Sequence, residues 1–245
     1  MLTNLYRMAD NHQLELFPDF SSQNIKTKDE RWINYNGIFM PNNHFSLSLC
    51  EHVNFTSTYQ MPVVQACHVE QPKDIRCYYR LRNRSVAGTI PHFYTNDSKL
   101  LPFLGEPYRY YDKICHHKTV IGIDISIKHD MPTPMKIAIS FYNKLLMAWW
   151  HYMGLTVVPN VIVDSTIVDI CLDGYPMDSV IAINSTSLGK DARARQLWQE
   201  TYPQIIEALK PTHIIRYGGK QPNEAEHISS YYDNDNKKSA RNGWE

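Results

Sequence analysis

The sequence predicts an α/β fold in which a parallel sheet of about five strands is joined by crossover helices, as an open sheet or a partial TIM-like barrel. The first observation is that apolar runs of strand length alternate with segments of helical length from Thr89 onward. Such alternation favours parallel pairing with right-handed crossovers. The second is that caps, prolines and glycines stand where the helices would begin and end. Before Thr89, the pattern predicts irregular structure or a small sheet.

Strands and helices follow one another along most of the chain. Five apolar runs are the predicted strands, at residues 89–94, 120–127, 156–163, 180–184 and 213–217. Four helices are predicted between them, near residues 97–104, 134–153, 166–172 and 191–209.

The helix at 134–153 has clear boundary signals. Thr133 and Pro134 are typical of an N-cap followed by the first helical position, and Gly154 is typical of a C-terminal cap. One face is apolar at helical spacing: Ala138, Tyr142, Leu145, Trp149 and Met153.

Two later helices carry signals of their own. Thr166 and Asp169 have the spacing of a capping box, and Gly174 and Pro176 would end that short helix. Pro203 should kink or split the last helix, whose apolar face is Ala194, Leu197, Thr201, Ile205 and Leu209.

The chain divides into four parts by pattern. We expect a flexible N-terminal segment at 1–31, an N-terminal subdomain at 32–88, an α/β domain at 89–220 and a polar C-terminal tail at 221–245. A chain of 245 residues suits one large domain or one domain with an appendage.

The composition excludes several classes of protein. The 25 Lys and Arg residues balance 25 Asp and Glu residues, which excludes a polybasic coat and an acidic disordered protein. The first residues lack the apolar run that is typical of a signal peptide, and the longest apolar stretch, 137–150, is too short and too polar to span a bilayer. We therefore expect a soluble, cytoplasmic protein without a membrane partner. The five cysteines form no CxxC pair, which favours buried thiols over a disulfide framework or a zinc site at Cys50, Cys67 and Cys77.

Functional groups gather at the carboxyl ends of the strands in parallel α/β folds. This rule selects Asp124, Ser126, Asn160 and Tyr217 as candidate catalytic residues. Asp124 interrupts an apolar strand, where an unpaired carboxylate is costly. It is either a general base, nucleophile or metal ligand facing a cleft, or a structural carboxylate that accepts loop N–H bonds.

Two kinds of ligand suit the same edge of the sheet, although no cofactor is identified. Asp97 and Asp164 could complete a carboxylate cluster for Mg²⁺ with Asp124, but both also suit helix caps. The loop after the fourth predicted strand offers hydroxyls and a lysine to an anion just before a helix, at Ser185, Ser187 and Lys190. An ordinary polar loop is the alternative there.

Residues 77–84 alternate in polarity and predict a strand. On such a strand Arg80, Arg82 and Arg84 would share one face beside Tyr78. That face could contact nucleic acid, or it could simply be solvated.

A short peptide near the start of the chain resembles the bacterial sliding-clamp-binding motif, Gln-Leu-Ser/Asp-Leu-Phe. It reads Gln13-Leu14-Glu15-Leu16-Phe17 and lies among polar residues. Leu16 and Phe17 would fill an apolar pocket of the clamp while Gln13 bonds at its edge. The alternative is that Leu14, Leu16 and Phe17 pack on the protein's own core.

Many positions between residues 90 and 218 match one family. They are Pro91-His-Phe-Tyr94 with Asp97, Asp124-x-Ser126 followed by Met131-Pro132, Tyr142-Asn143, Trp150 before Gly154, Val157-x-Pro159, Cys171-x-Asp173-Gly174-x-Pro176 and Tyr217-Gly218. In these the chain resembles domain-of-unknown-function family four-four-one-seven, which occurs in bacteria, archaea and phages or other mobile elements. The resemblance implies a mobile-element protein and supplies no activity.

Together these features suggest an accessory protein of phage or plasmid type, linked to DNA replication. It would be tethered to the bacterial sliding clamp and would contact nucleic acid. The first alternative is an α/β enzyme that acts on a nucleotide or small molecule with Asp124 at its centre. The second is a non-catalytic interaction protein.

Overall fold

The computed structural model describes residues 32–35, 38–41, 47–81, 85–189, 192–221 and 224–233. The clamp-binding-like peptide at residues 13–17 lies outside the described residues, as do Arg82, Arg84 and Lys190. Within the described part of the chain, nine strands form four small sheets in a mixed α/β structure.

Seven of these strands pair in parallel, in three sheets: β3 (Asp74–Cys77) with β4 (Thr89–His92), β5 (Thr119–Ile121) with β6 (Thr156–Val158), and β7 (Val180–Asn184), β8 (His213–Tyr217) and β9 (Ser229–Tyr232) in that order. An antiparallel pair precedes them, β1 (Trp32–Tyr35) and β2 (Ile38–Pro41).

The mixed α/β class and the parallel pairing agree with the sequence, but the described residues form neither one sheet of five strands nor a barrel. The ladder is divided into short pieces, and β6 reaches β7 only through a bridge between Asn160 and Ala182. Proline explains part of the division, because it has no backbone N–H to donate. Pro91 lies within β4, and Pro159 directly follows β6.

The α-helices of the described chain are α1 (Tyr78–Leu81), α2 (Asp97–Leu100), α3 (Pro102–Gly105), α4 (Pro107–Tyr111), α5 (Thr133–Tyr152), α6 (Val168–Leu172) and α7 (Ala192–Leu209). Short 3₁₀ turns lie at Leu47–His52, Cys115–His117, Thr186–Gly189 and Glu226–Ile228. The helix predicted near 97–104 is therefore two short helices, α2 and α3.

The strand predicted at 77–84 is wrong beyond Cys77, because α1 begins at Tyr78. In α1, the partly buried Tyr78 and the buried Leu81 are three residues apart and lie on one helical face. Arg80 consequently belongs to a helical turn and not to a strand face. Parallel pairing also extends past residues 89–220, since β3 precedes that range and β9 follows it.

The long helices follow the sequence closely. α5 begins one residue earlier than predicted, with Pro132 as N-cap, and Gly154 follows it with φ of 98°. α7 continues through Pro203 instead of splitting. The capping box predicted at Thr166 is wrong. Ile167 is the N-cap of α6 and makes no side-chain cap bond, while the amide and hydroxyl of Thr166 bond to Asp164 instead.

Two apolar cores hold these elements together. The first packs α5 and α7 against one side of the strands and contains the fully buried rings of Trp149 and Trp150. The second collects side chains from all seven parallel strands, among them Ile75, Ile90, Ile121, Val158, Ala182, Ile215 and Tyr232. The three short sheets therefore share one core, which brings their carboxyl ends near one another.

A buried ion pair attaches the segment between β8 and β9 to this core. Arg216 of β8 bonds to Glu224, and neither side chain is exposed. Glu224 also accepts bonds from the indole of Trp198 at 3.2 Å and the hydroxyl of Tyr231 at 3.3 Å. These partners satisfy a carboxylate that would otherwise be costly to bury.

None of the helices in the described ranges has both the length and the apolar character that crossing a bilayer requires.

Candidate functional site

Asp124 lies just beyond the end of β5, and two amide groups hold its carboxylate. Oδ1 accepts a hydrogen bond from Nδ2 of Asn160 at 2.9 Å, and Oδ2 accepts one from Nδ2 of Asn184 at 2.9 Å. The side chain is half-buried. The carboxylate is therefore fixed in orientation and still reachable from solvent.

The amide of Asn160 is fully buried, and protein groups satisfy it on both sides. Its Nδ2 also donates to the carbonyl of Ile123 at 3.0 Å, and its Oδ1 accepts from the hydroxyl of Tyr94 at 3.1 Å. The hydroxyl of Tyr175 donates to its backbone carbonyl at 2.6 Å. These partners leave one orientation of the amide, with N–H toward Asp124.

Asn184 is held in the same way at the end of β7. Its Oδ1 accepts from the backbone N–H of Thr186 at 3.0 Å and from the Thr186 hydroxyl at 2.8 Å. The Asn184 amide therefore also turns its N–H toward Asp124. Both neighbours of the carboxylate are donors in fixed positions, which is how proteins preorganise a charged group.

The surroundings of Asp124 shift its pKa upward. Burial raises the pKa, the bonds from Asn184 and Asn160 lower it, and the nearby charge of Asp97 raises it. Burial is the largest of these effects, so the carboxyl releases its proton at a higher pH than an ordinary aspartate. A carboxylate with a raised pKa and access to solvent can accept and return a proton.

Three buried rings pack together next to Asn160. Tyr94 stacks on Tyr217 at 4.7 Å between ring centroids, and His92 lies 4.8 Å from Tyr94 and 4.4 Å from Tyr217. Burial and the charge of Asp124 raise the pKa of Tyr94 well above its usual range. Tyr94 therefore remains a neutral hydrogen-bond donor to Asn160.

The four candidate catalytic residues are not equally placed. Asp124 and Asn160 are directly bonded, and Tyr217 reaches them through the ring of Tyr94. The backbone N–H and the hydroxyl of the exposed Ser126 both donate to Oδ1 of Asp97 at 3.0 Å. Ser126 thus links the segment after β5 to α2 by hydrogen bonds instead of bonding to Asp124.

His92, Tyr94 and Asn184 are not among the candidate catalytic residues predicted from the sequence, although each lies in or at the end of a predicted strand. That position is the sequence feature that could have identified them. Which of these side chains meet depends on how neighbouring strands are aligned, and an isolated sequence does not contain that alignment.

In the loop predicted to bind an anion, the Ser185 side chain bonds to the protein's own backbone. This buried hydroxyl bonds to the carbonyls of Tyr217 at 3.2 Å and Gly219 at 3.0 Å. Gly218 has φ of 109°, and a Cβ there would lie 3.0 Å from the Ser185 hydroxyl. The contacts join the ends of β7 and β8 and do not support anion binding by Ser185. The side chain of Ser187 and the whole of Lys190 lie outside the described residues.

The aspartates considered for Mg²⁺ have other partners. Asp164 bonds through both oxygens to Lys136 at 3.0 Å. Burial raises the pKa of Asp164, but the bonds from Thr166 and Lys136 outweigh it and keep the pKa below its ordinary value. Among the residues that the structure describes, no three or more His, Cys, Asp or Glu side chains are grouped to hold a metal. Of the described cysteines, Cys50, Cys67 and Cys77 take part in no disulfide. Mg²⁺ at Asp124 stays a prediction.

Comparison with known proteins places these residues inside a recognised domain. The family model described as "Domain of unknown function (DUF4417)" matches residues 53–234, which include every residue of the Asp124 site. The chain is also similar to the "Gene 1 protein" of Mycobacterium phage L5, with 23% identity over 167 residues, or 66% of this chain and 72% of the phage protein. No solved structure matches the chain.

Replacing Asn160 by Asp tests the hydrogen-bond arrangement. The substitution keeps the shape but turns two donated bonds into contacts between acceptors, one with Asp124 and one with the Ile123 carbonyl. We expect a loss of about 3–5 kcal/mol in the free energy of unfolding at pH 7, as for an unpaired buried charge. The new carboxyl should bind its proton more tightly in the folded state, so the loss should shrink as the pH falls toward about 4.

Urea unfolding of both proteins at pH 7 and pH 4 measures this difference. Asn96→Asp makes the same chemical change at an exposed N-cap whose side chain makes no capping hydrogen bond, and it should leave stability nearly unchanged at both pH values. If Asn160→Asp lowered the free energy of unfolding equally at both pH values, the result would contradict the hydrogen bonds assigned to the Asn160 amide.

Proposed function

The chain belongs to the DUF4417 family, and we propose that it is a phage-type accessory enzyme in which Asp124 moves a proton on a nucleotide or another small polar molecule. One observation carries the proposal. The Asp124 carboxylate is half-buried and is held between two amides whose orientations are fixed by further bonds. Similarity to a mycobacteriophage protein supports the phage association.

The geometry favours a general base over the other roles considered for Asp124. A base needs a carboxylate that is fixed, reachable and higher in pKa than usual, and all three conditions are met. Each oxygen of Asp124 accepts one amide N–H bond and keeps a second lone pair that can take a proton. For a metal ion, the described residues offer no group of three or more His, Cys, Asp or Glu side chains.

Asn184 and Thr186 are the polar groups that a substrate would meet beside Asp124, since Asn184 is partly exposed and Thr186 is exposed. The rings of Tyr94 and Tyr217 are buried and support the site from within. An amide and a hydroxyl beside a carboxylate suit a substrate with several polar edges. This fit is the reason for naming nucleotides first among the substrate classes.

Replacing Asp124 by Asn tests the enzymatic proposal. The purified full chain is incubated with a mixture of ribo- and deoxyribonucleotides, and mass spectrometry follows the loss of each compound. We expect wild type to consume at least one of them, and Asp124→Asn to lower that rate at least about a hundredfold, the range for loss of an acid–base group.

Asp169→Asn is the matched control, because Asp169 is exposed in the first turn of α6. It should react like wild type. Consumption of no nucleotide by wild type would remove nucleotides from the proposal, and an equal rate in Asp124→Asn would contradict the role of Asp124.

A second proposal concerns recruitment, and the peptide Gln13-Leu14-Glu15-Leu16-Phe17 carries it. We propose that this peptide binds the bacterial sliding clamp and so links the protein to DNA replication. Two features support it: the match to the clamp-binding motif, and the position of the peptide ahead of the family domain, which begins at residue 53. Leu16 and Phe17 are the proposed anchors, since large apolar side chains dominate such interfaces.

Replacing both anchors by Ala tests clamp binding. Burial of each side chain is worth about 1.5–3 kcal/mol, so the double variant should bind at least about a hundredfold more weakly. Gln13→Ala should cost about 1 kcal/mol, as one neutral hydrogen bond is lost. Glu15→Ala is the control and should change little.

Surface plasmon resonance on immobilised clamp gives the affinities, and thermal melts follow the fold. If the wild-type protein did not bind the clamp at tens of micromolar, the result would contradict the proposal. Unfolding of the double variant would assign the peptide to the protein's own core.

A further inference from the structure

A groove beside α2 is lined by tyrosines and lysines and lies apart from the Asp124 hydrogen bonds. Its volume is about 360 Å³, within the range of sites that hold small ligands. The lining comes from α1, α2, α3, α4 and the chain after α4, and includes Tyr78, Tyr79, Ser98, Lys99, Tyr110 and Lys113. We call it the Tyr–Lys groove.

The floor of the Tyr–Lys groove is fixed by core packing. The ring of Tyr78 stacks on Phe93 at 4.9 Å and meets the edge of Phe103 at 5.4 Å. Its hydroxyl donates to the carbonyl of Lys99 at 3.2 Å, and burial raises the pKa of Tyr78 to about 12. The groove is therefore formed before any ligand arrives, which lowers the entropic cost of binding.

Two ammonium groups lie over aromatic faces in this groove. Nζ of Lys99 is 4.1 Å from the ring centroid of Tyr79, and Nζ of Lys113 is 3.9 Å from that of Tyr110. Both lysines are exposed, and the described lining includes no carboxylate. Asp97 is adjacent in sequence to Ser98, but its Oδ1 accepts the two bonds from Ser126. The groove therefore presents positive charge.

We propose that the Tyr–Lys groove binds single-stranded nucleic acid. Lys99 and Lys113 take successive phosphates, and a lysine that swings from its ring to a phosphate uncovers the ring for a base. Paired cations and aromatic faces are the means by which proteins hold single strands without reading sequence. This inference goes beyond the proposed function, because it requires neither chemistry at Asp124 nor the clamp.

The chemistry of the lining favours a single strand over other anionic partners. An acidic peptide would satisfy the lysines but would bring no planar group to the rings of Tyr79 and Tyr110. A nucleic-acid duplex keeps its bases stacked inside, so it would offer phosphates to the lysines but no base to the rings of Tyr79 and Tyr110.

Fluorescence anisotropy with labelled twelve-residue oligothymidylate tests the groove, with the full chain and a salt series. Tyr79→Ala should weaken binding about five- to 150-fold, the range for loss of one stacked base. Lys99→Ala/Lys113→Ala should weaken binding and lower the slope of log K against log salt by about 1.4, as two phosphate contacts are lost. The control Lys73→Ala/Lys210→Ala removes two exposed lysines elsewhere and should behave like wild type.

Competition identifies the ligand class. Single strands of DNA or RNA should displace the probe, whereas thymidine monophosphate and polyglutamate should do so poorly. Asp124→Asn should bind as tightly as wild type, which separates this inference from the proposed reaction. Equal displacement by polyglutamate or duplex DNA, equal weakening by the two lysine pairs, or unchanged binding by Tyr79→Ala would each overturn the proposal. Thermal melts should show all variants folded, because the altered side chains are exposed.

Discussion

A carboxamide that is buried from water must find all of its hydrogen-bond partners inside the protein, and Asn160 finds them on separate segments of the chain. Its side chain meets Tyr94 after β4 and the Ile123 carbonyl and Asp124 after β5, and its backbone pairs with Ala182 of β7. The sheets themselves are short and separate, so this one residue joins their carboxyl ends. The position of the Asp124 carboxylate follows from that junction.

Helix α2 contributes one residue near the Asp124 site and another to the Tyr–Lys groove. α2 supplies Asp97, which pins Ser126 beyond Asp124, and also Lys99, which lies over Tyr79. Asp97 and Lys99 are two positions apart, so their side chains lie on different faces of this short helix. The two proposals remain separable, since the groove residues make no bond to Asp124 among the described contacts.

The sequence predicted those parts of the fold that local pattern determines. The bounds of β7 and β8 agree with it, and α5 follows its caps to within a residue. The division into short sheets was not predicted, because it depends on which neighbour each strand meets and on prolines such as Pro91 that weaken a ladder. Asp124 was found because a carboxylate within an apolar run is costly. Asn184 and Tyr94 were not, because their role appears only when the strand ends are aligned.

The most direct test of the account is the titration of the Asp124 side-chain carboxyl by ¹³C NMR in wild type and in Asn184→Ala. Burial should place the wild-type pKa above the ordinary value of 3.8. Loss of the Asn184 bond, which favours the ionised form, should raise it further. A pKa at or below 3.8, or one that does not rise in Asn184→Ala, would contradict a half-buried carboxylate held between two donors.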